Sequence, residues 1–124
     1  MKAIQDELRV RLDTYGFDYA ECLTGENLDH FPSELEHHNI EYTVKGAVDF
    51  LDQVPEDKPF FLWTAFTTTH GPHAPIDSGD VRNTPAGFAE EHLGLMPDRS
   101  SYIDKNDKWR NVVKEMVLWM DGGI

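Results

Sequence analysis

Residues Lys58 to Pro75, KPFFLWTAFTTTHGPHAP, decide how this chain is read. After Pro59, the residues Phe60, Phe61, Leu62, Trp63, Ala65 and Phe66 form a nearly continuous apolar run bounded by turn signals. That pattern predicts a strand over 60–66 buried on both faces, as in a parallel sheet. The run becomes polar at Thr67, Thr68 and Thr69, and His70-Gly71-Pro72-His73 follows as a tight turn. Two imidazoles are thereby expected just past the carboxyl end of a central strand, the edge where open α/β sheets bind ligands.

Working outward, Asn39 is a helix N-cap candidate, and Val44, Ala47, Val48, Leu51 and Val54 recur at helical spacing up to Pro55. A helix over 40–54, a polar turn and a buried strand make half of a βαβ unit. Trp109, Val112, Val113, Met116, Val117 and Met120 give a second amphipathic helix over 108–120, with Asp107 as its cap. Ile4, Leu8 and Leu12 predict a helix over 2–13 that stops at Gly16. Phe17 to Leu23 alternates like a short strand. Residues 24–38 form a polar connection. Residues 74–106, broken by Pro75, Pro85, Pro97, Gly79, Gly87 and Gly94, are expected to be irregular, with a short helical turn near 86–92.

The PFFLW…THGPH segment resembles the "KPFFLY…PHxPH…P" segment of the sulfatases, in the alkaline-phosphatase-like superfamily. Tyr15-Gly16-Phe17-Asp18-Tyr19 resembles that family's upstream "GFDYF". His38-Asn39-Ile40-Glu41-Tyr42-Thr43 resembles the entry to the helix before the strand, and Met116 to Asp121 the "MVEHLD" helix after it. These pieces cover most of the chain in family order. The resemblance implies an α/β fold: a partial alkaline-phosphatase-like layer with central strand 60–66 between helices 40–54 and 108–120. Residues 1–124 would be part of a sulfatase catalytic domain. The function implied is hydrolysis of sulfate monoesters, with a sulfated small molecule or glycan as substrate, and His70 falls on the histidine that meets the sulfate. The family's calcium ion and formylglycine nucleophile are expected in a full-length parent and not in this chain.

On chemistry alone, His70 and His73 read equally as surface loop histidines or as a site. An imidazole titrates near neutrality and can hydrogen-bond a sulfate or protonate a leaving oxygen. The resemblance favours the catalytic reading for His70 and leaves His73 and Thr69 as substrate contacts. Cys22, the lone cysteine, stands in Ala20-Glu21-Cys22-Leu23-Thr24. It lacks the family's "CxPSR" context and reads as a small buried side chain. The cluster His30, Glu34, Glu36, His37 and His38 has no specific zinc spacing. Asp77, Asp80 and Asp98 match no calcium loop. No metal ligands are assigned, and without them or a nucleophile the chain alone is expected to be inactive. Trp63, Trp109 and Trp119 are assigned to the core.

The net charge of −12, from 23 acidic and 11 basic side chains, argues against nucleic acid as a partner. No run of about 18 apolar residues suggests a membrane span. Met1 begins a charged segment without a signal core, whereas the family is often periplasmic, secreted or lysosomal. The strand's open edges invite self-association. Two other readings stand beside the sulfatase: a phosphodiesterase or phosphatase of the same superfamily, and a non-catalytic acidic binding module that uses the 74–106 loop.

Overall fold

The computed structural model describes residues 2–24, 31–35, 38–68, 80–90, 93, 109–122 and 124. Its elements are α1 (Lys2–Thr14), a 3-10 turn (Ser33–Leu35), α2 (Ile40–Leu51), β1 (Asn83–Thr84), β2 (Gly87–Phe88) and α3 (Trp109–Asp121). The architecture mixes helices with one small two-stranded antiparallel sheet, β1-β2, and is α/β in that general sense.

All three helices lie where hydrophobic spacing predicts them. At the end of α1, Gly16 takes φ +88°, a conformation that suits glycine. The Gly16 amide donates to the Asp13 carbonyl (2.9 Å), and the Phe17 amide reaches back to Leu12 O (3.3 Å). This pair of bonds is the Schellman arrangement. α1 is held mainly by polar handles. Gln5, buried at 2% exposure while Ile4 is 51% exposed, donates to the Leu23 carbonyl (3.0 Å) and to the Tyr42 hydroxyl (3.2 Å). Arg9 donates to the Ala20 carbonyl (3.0 Å) and pairs with Glu21. These bonds explain why residues 17–23 are not the expected strand. Two of their carbonyls accept from α1 side chains, and Cys22 sits at φ +54°, outside strand geometry.

α2 and α3 build the core. Ile40 and Val44 from α2 meet Met116 and Trp119 from α3, and Phe66 and Met120 pack against them. Trp119, 1% exposed, is a core residue as expected; the side chain of Trp109 lies outside the described residues. α2 ends at Leu51 rather than 54. Residues 52–54 continue as a turn, with the Gln53 and Val54 amides both donating to the Phe50 carbonyl (3.0 and 3.2 Å).

The central stretch departs most from expectation. Residues 60–66 form no strand, and no backbone-to-backbone hydrogen bond joins them to another described residue. From Phe61 to Phe66 they keep a strand's alternation all the same, whereas Phe60 is 56% exposed. Phe61 and Trp63 are 73% and 72% exposed and Leu62 only 37%. Ala65 is exposed, while Thr64 and Phe66 are half-buried. A two-residue period means an extended ribbon with one face on the helices and the other in water. The expected layer with both faces covered is therefore corrected to a ribbon covered on one face. Composition marks a run as apolar, but only a neighbouring strand can complete a ladder. Trp63 is accordingly removed from the core. Residues 86–90 hold no helical turn, and residues 91 and 92 lie outside the described residues. Pro85 and Ala86 instead turn β1 into β2, with the Thr84 hydroxyl donating to Gly87 O (2.6 Å) and Gly87 at φ +130°.

Gly46, inside α2, has a packing cause. A Cβ there would lie 2.5 Å from the Cys22 Sγ and 3.2 Å from its Cβ. Gly46→Ala should therefore destabilise the fold by about 1–3 kcal/mol through overpacking, although alanine favours an isolated helix by about 1 kcal/mol. In a Cys22→Gly background the same change should become neutral or stabilising. Urea titration of the four proteins in a double-mutant cycle checks this reversal of sign.

Candidate functional site

The apolar ribbon runs into Thr67 and Thr68, and Thr67 lies beside the N-terminus of α2. Asn39 creates this junction. Its Oδ1 accepts from the Tyr42 amide (3.0 Å) and caps α2. Its Nδ2 donates to the carbonyls of Val81 (2.7 Å) and Asn83 (3.2 Å), which docks the β1-β2 hairpin on the helix. The adjacent His38 is buried, and its Nδ1 shares a 2.9 Å hydrogen bond with Thr67 Oγ1. Thr68 Oγ1 is buried without a partner among the described residues. A small hollow lies here, lined in part by Asn39, Tyr42, Thr43, Thr67 and Asn83.

The three assigned site residues, Thr69, His70 and His73, lie outside the described residues, as do His30, Glu36, His37, Asp77, Asp98 and the side chain of Glu34. Of the acidic and histidine candidates that are described, His38 bonds to Thr67 and Asp80 pairs with Arg82 (2.6 Å). Arg82 also stacks over the Phe88 ring at 4.9 Å. No group of three or more His, Cys, Asp or Glu side chains comes together among the described residues. The Cys22 thiol lies against Gly46 and donates to the Tyr42 carbonyl (2.9 Å), and burial pushes its pKa up from 9.0 to about 11.

Sequence reasoning found Asn39 as a cap but missed its second role, because nothing local to the sequence tells which carbonyls a side-chain amide will meet. It also missed an apolar cleft of about 410 Å³ on the other side of α2. Leu12, Phe17, Tyr19, Phe50, Phe61 and Trp63 are among its walls. Tyr19 and Phe50 stack with centroids 5.3 Å apart, and Phe60 meets Phe50 edge-on at 5.7 Å. FFLWTAF gave no signal of an uncovered face, because six of its seven residues are apolar and the run reads the same on both sides.

Set against protein-family models, curated proteins and solved structures, the chain finds no match. No described helix is long and apolar enough to cross a membrane.

Asn39→Ala should cost about 2–3 kcal/mol, combining a lost cap with carbonyls left unsatisfied. Asn39→Asp keeps the cap oxygen but turns the amide donor into a carboxylate oxygen that faces the Val81 and Asn83 carbonyls and repels them. It should leave α2 intact while hydrogen exchange rises across residues 81–88. Cys22 gives a pH prediction. The folded thiol holds its proton to about pH 11, whereas an unfolded one loses it near pH 9. In that window the folded state binds the extra proton, so stability falls as pH rises. At pH 8, alkylation of Cys22 by iodoacetamide should run about a hundredfold slower than that of an unstructured cysteine peptide.

Proposed function

We propose that this chain is part of a sulfatase-type hydrolase in which His70 contacts the sulfate group, or the leaving oxygen, of a sulfate monoester. One observation carries the reading. The apolar ribbon 60–66 has a strand's alternation, follows a capped helix, and leads through the anchored Thr67 into Thr68-Thr69-His70-Gly71-Pro72-His73. That is the order of parts in the family segment it resembles.

Breaking a sulfate ester places negative charge on the departing oxygen and on the sulfate oxygens. A neutral-range imidazole can donate a hydrogen bond to the latter or a proton to the former. In this reading the Gly71-Pro72 pair restricts the turn, and Thr69 and His73 line the same anion. With a net charge of −12 on the chain, an anionic substrate needs a local donor of this kind. Calcium and formylglycine would supply electrostatic and nucleophilic chemistry in a complete enzyme. The proposal for this chain rests on His70 as an anion contact.

NMR of the imidazole protons during titration with p-nitrophenyl sulfate tests the reading. The His70 resonances should shift in a saturable way, and His70→Ala should remove the binding without unfolding the chain. The same polypeptide should show no turnover of that ester. A His70 signal that stays fixed up to saturating ester contradicts the proposal; turnover by the isolated chain contradicts only the expectation that it is inactive alone. Tighter binding of p-nitrophenyl phosphate would move the reading to the phosphatases of the same superfamily.

A further inference from the structure

Residues 2–23 are fastened to themselves better than to the rest of the molecule. Among the described residues, the core of Ile40, Val44, Met116 and Trp119 takes no side chain from them. The one buried side chain of α1 is Gln5, which is polar, while Ile4 and Val10 are exposed. Within the segment, Gln5 and Arg9 hold the Leu23 and Ala20 carbonyls, and Arg9 pairs with Glu21. Its seat on α2 is slighter. Gln5 donates to the Tyr42 hydroxyl (3.2 Å), Cys22 rests on Gly46 and donates to the Tyr42 carbonyl (2.9 Å), and Tyr19 meets the Phe50 ring. The apolar cleft of about 410 Å³ lies at this junction, with Leu12, Phe17 and Tyr19 on one side and Ala47 and Phe50 on the other. An unfilled space between two bodies forfeits the dispersion contacts that would hold them together.

We infer that residues 2–23 form a flap that opens from α2 as one unit while the α2–α3 core stays folded, and that this opening controls access to the Cys22 thiol and to the cleft. Segments with few buried apolar contacts open at free energies below that of global unfolding. The flap moves as a unit because its halves share bonds. The turn at Gly16 joins them in sequence, and the Gln5 and Arg9 bonds join them in space. Leaving its seat breaks two hydrogen bonds to Tyr42 and one ring contact, each a small term. The body left behind keeps what holds it. The Asn39 cap, its two bonded carbonyls and the Ile40–Trp119 cluster all lie outside residues 2–23. Closed, the thiol is turned against Gly46; open, it faces water. Once released, the 13-residue α1 is short for a helix standing alone in water, so its own amides lose protection in the same event.

Native-state amide exchange and Cys22 alkylation, both followed on the full chain in urea up to about 2 M, test the inference. The amides of α1 should show protection at least about tenfold below those of α2 and α3. Their exchange and the alkylation of Cys22 should rise with urea along one slope, shallower than that of global unfolding because less surface is exposed. Gln5→Ala removes the bonds to Leu23 and Tyr42 and should speed alkylation about tenfold, while exchange in α3 stays as in the parent. Equal protection and equal urea slope in all three helices of the parent overturn the inference, since the chain then opens only as a whole. A steep slope for Cys22 beside a shallow one for α1 also overturns it, since α1 then frays alone. So does a folded Gln5→Ala chain whose thiol reacts at the parent rate. None of these readouts depends on His70, so the sulfatase reading stands or falls separately.

Discussion

The side-chain amide of Asn39 is the contact on which the arrangement turns. Its oxygen completes the first turn of α2, and its nitrogen holds two carbonyls of the segment 81–83. A helix start leaves amides without partners, and a hairpin of two-residue strands buries too little to stand alone. One planar amide addresses both needs because its donor and acceptor ends face opposite ways. His38, beside it, fixes Thr67. Helix start, hairpin and the end of the apolar ribbon thus converge on two consecutive residues. The core of Ile40, Val44, Met116 and Trp119 lies directly beyond.

The helices were legible in the sequence because their cause is local. Val44 and Val48 recur at helical spacing, Asn39 caps and Gly16 stops. The irregular segments were not, because side chains distant in sequence impose them. Phe17 to Leu23 alternates as a strand does, yet Gln5 and Arg9 take up its carbonyls. Gly46 reads as a helix defect until Cys22 is placed against it. Residues 60–66 show the limit most clearly. Both expectations for them fail: the run is not covered on both faces, since Phe61 and Trp63 are exposed, and it has no ladder, because a ladder belongs to two segments. For the candidate site, only the approach through Thr67 and Thr68 can be compared with expectation, and its tie to His38 had no sequence signal beyond an adjacent pair of histidines.

The ribbon keeps its alternation without a neighbouring strand because side chains at both ends hold it. Phe60 leans on Phe50, which leans on Tyr19. Phe66 reaches the α2–α3 core, and Thr67 is bonded to His38. Between these anchors Phe61 and Trp63 are largely exposed at the edge of the apolar cleft. Ordering a free segment costs about 1–2 kcal/mol per residue in backbone entropy. A segment held at both ends has already lost much of that freedom.

The same anchoring reaches past the ribbon. Thr67 is bonded to His38, and the Thr68 Oγ1 is buried next to it in sequence. Because Asn39, beside His38, also caps α2 and holds the hairpin, a displacement of Thr67 would be felt at the helix start and at the hairpin through two adjacent residues. Contacts that share partners in this way couple, so their losses should not add independently.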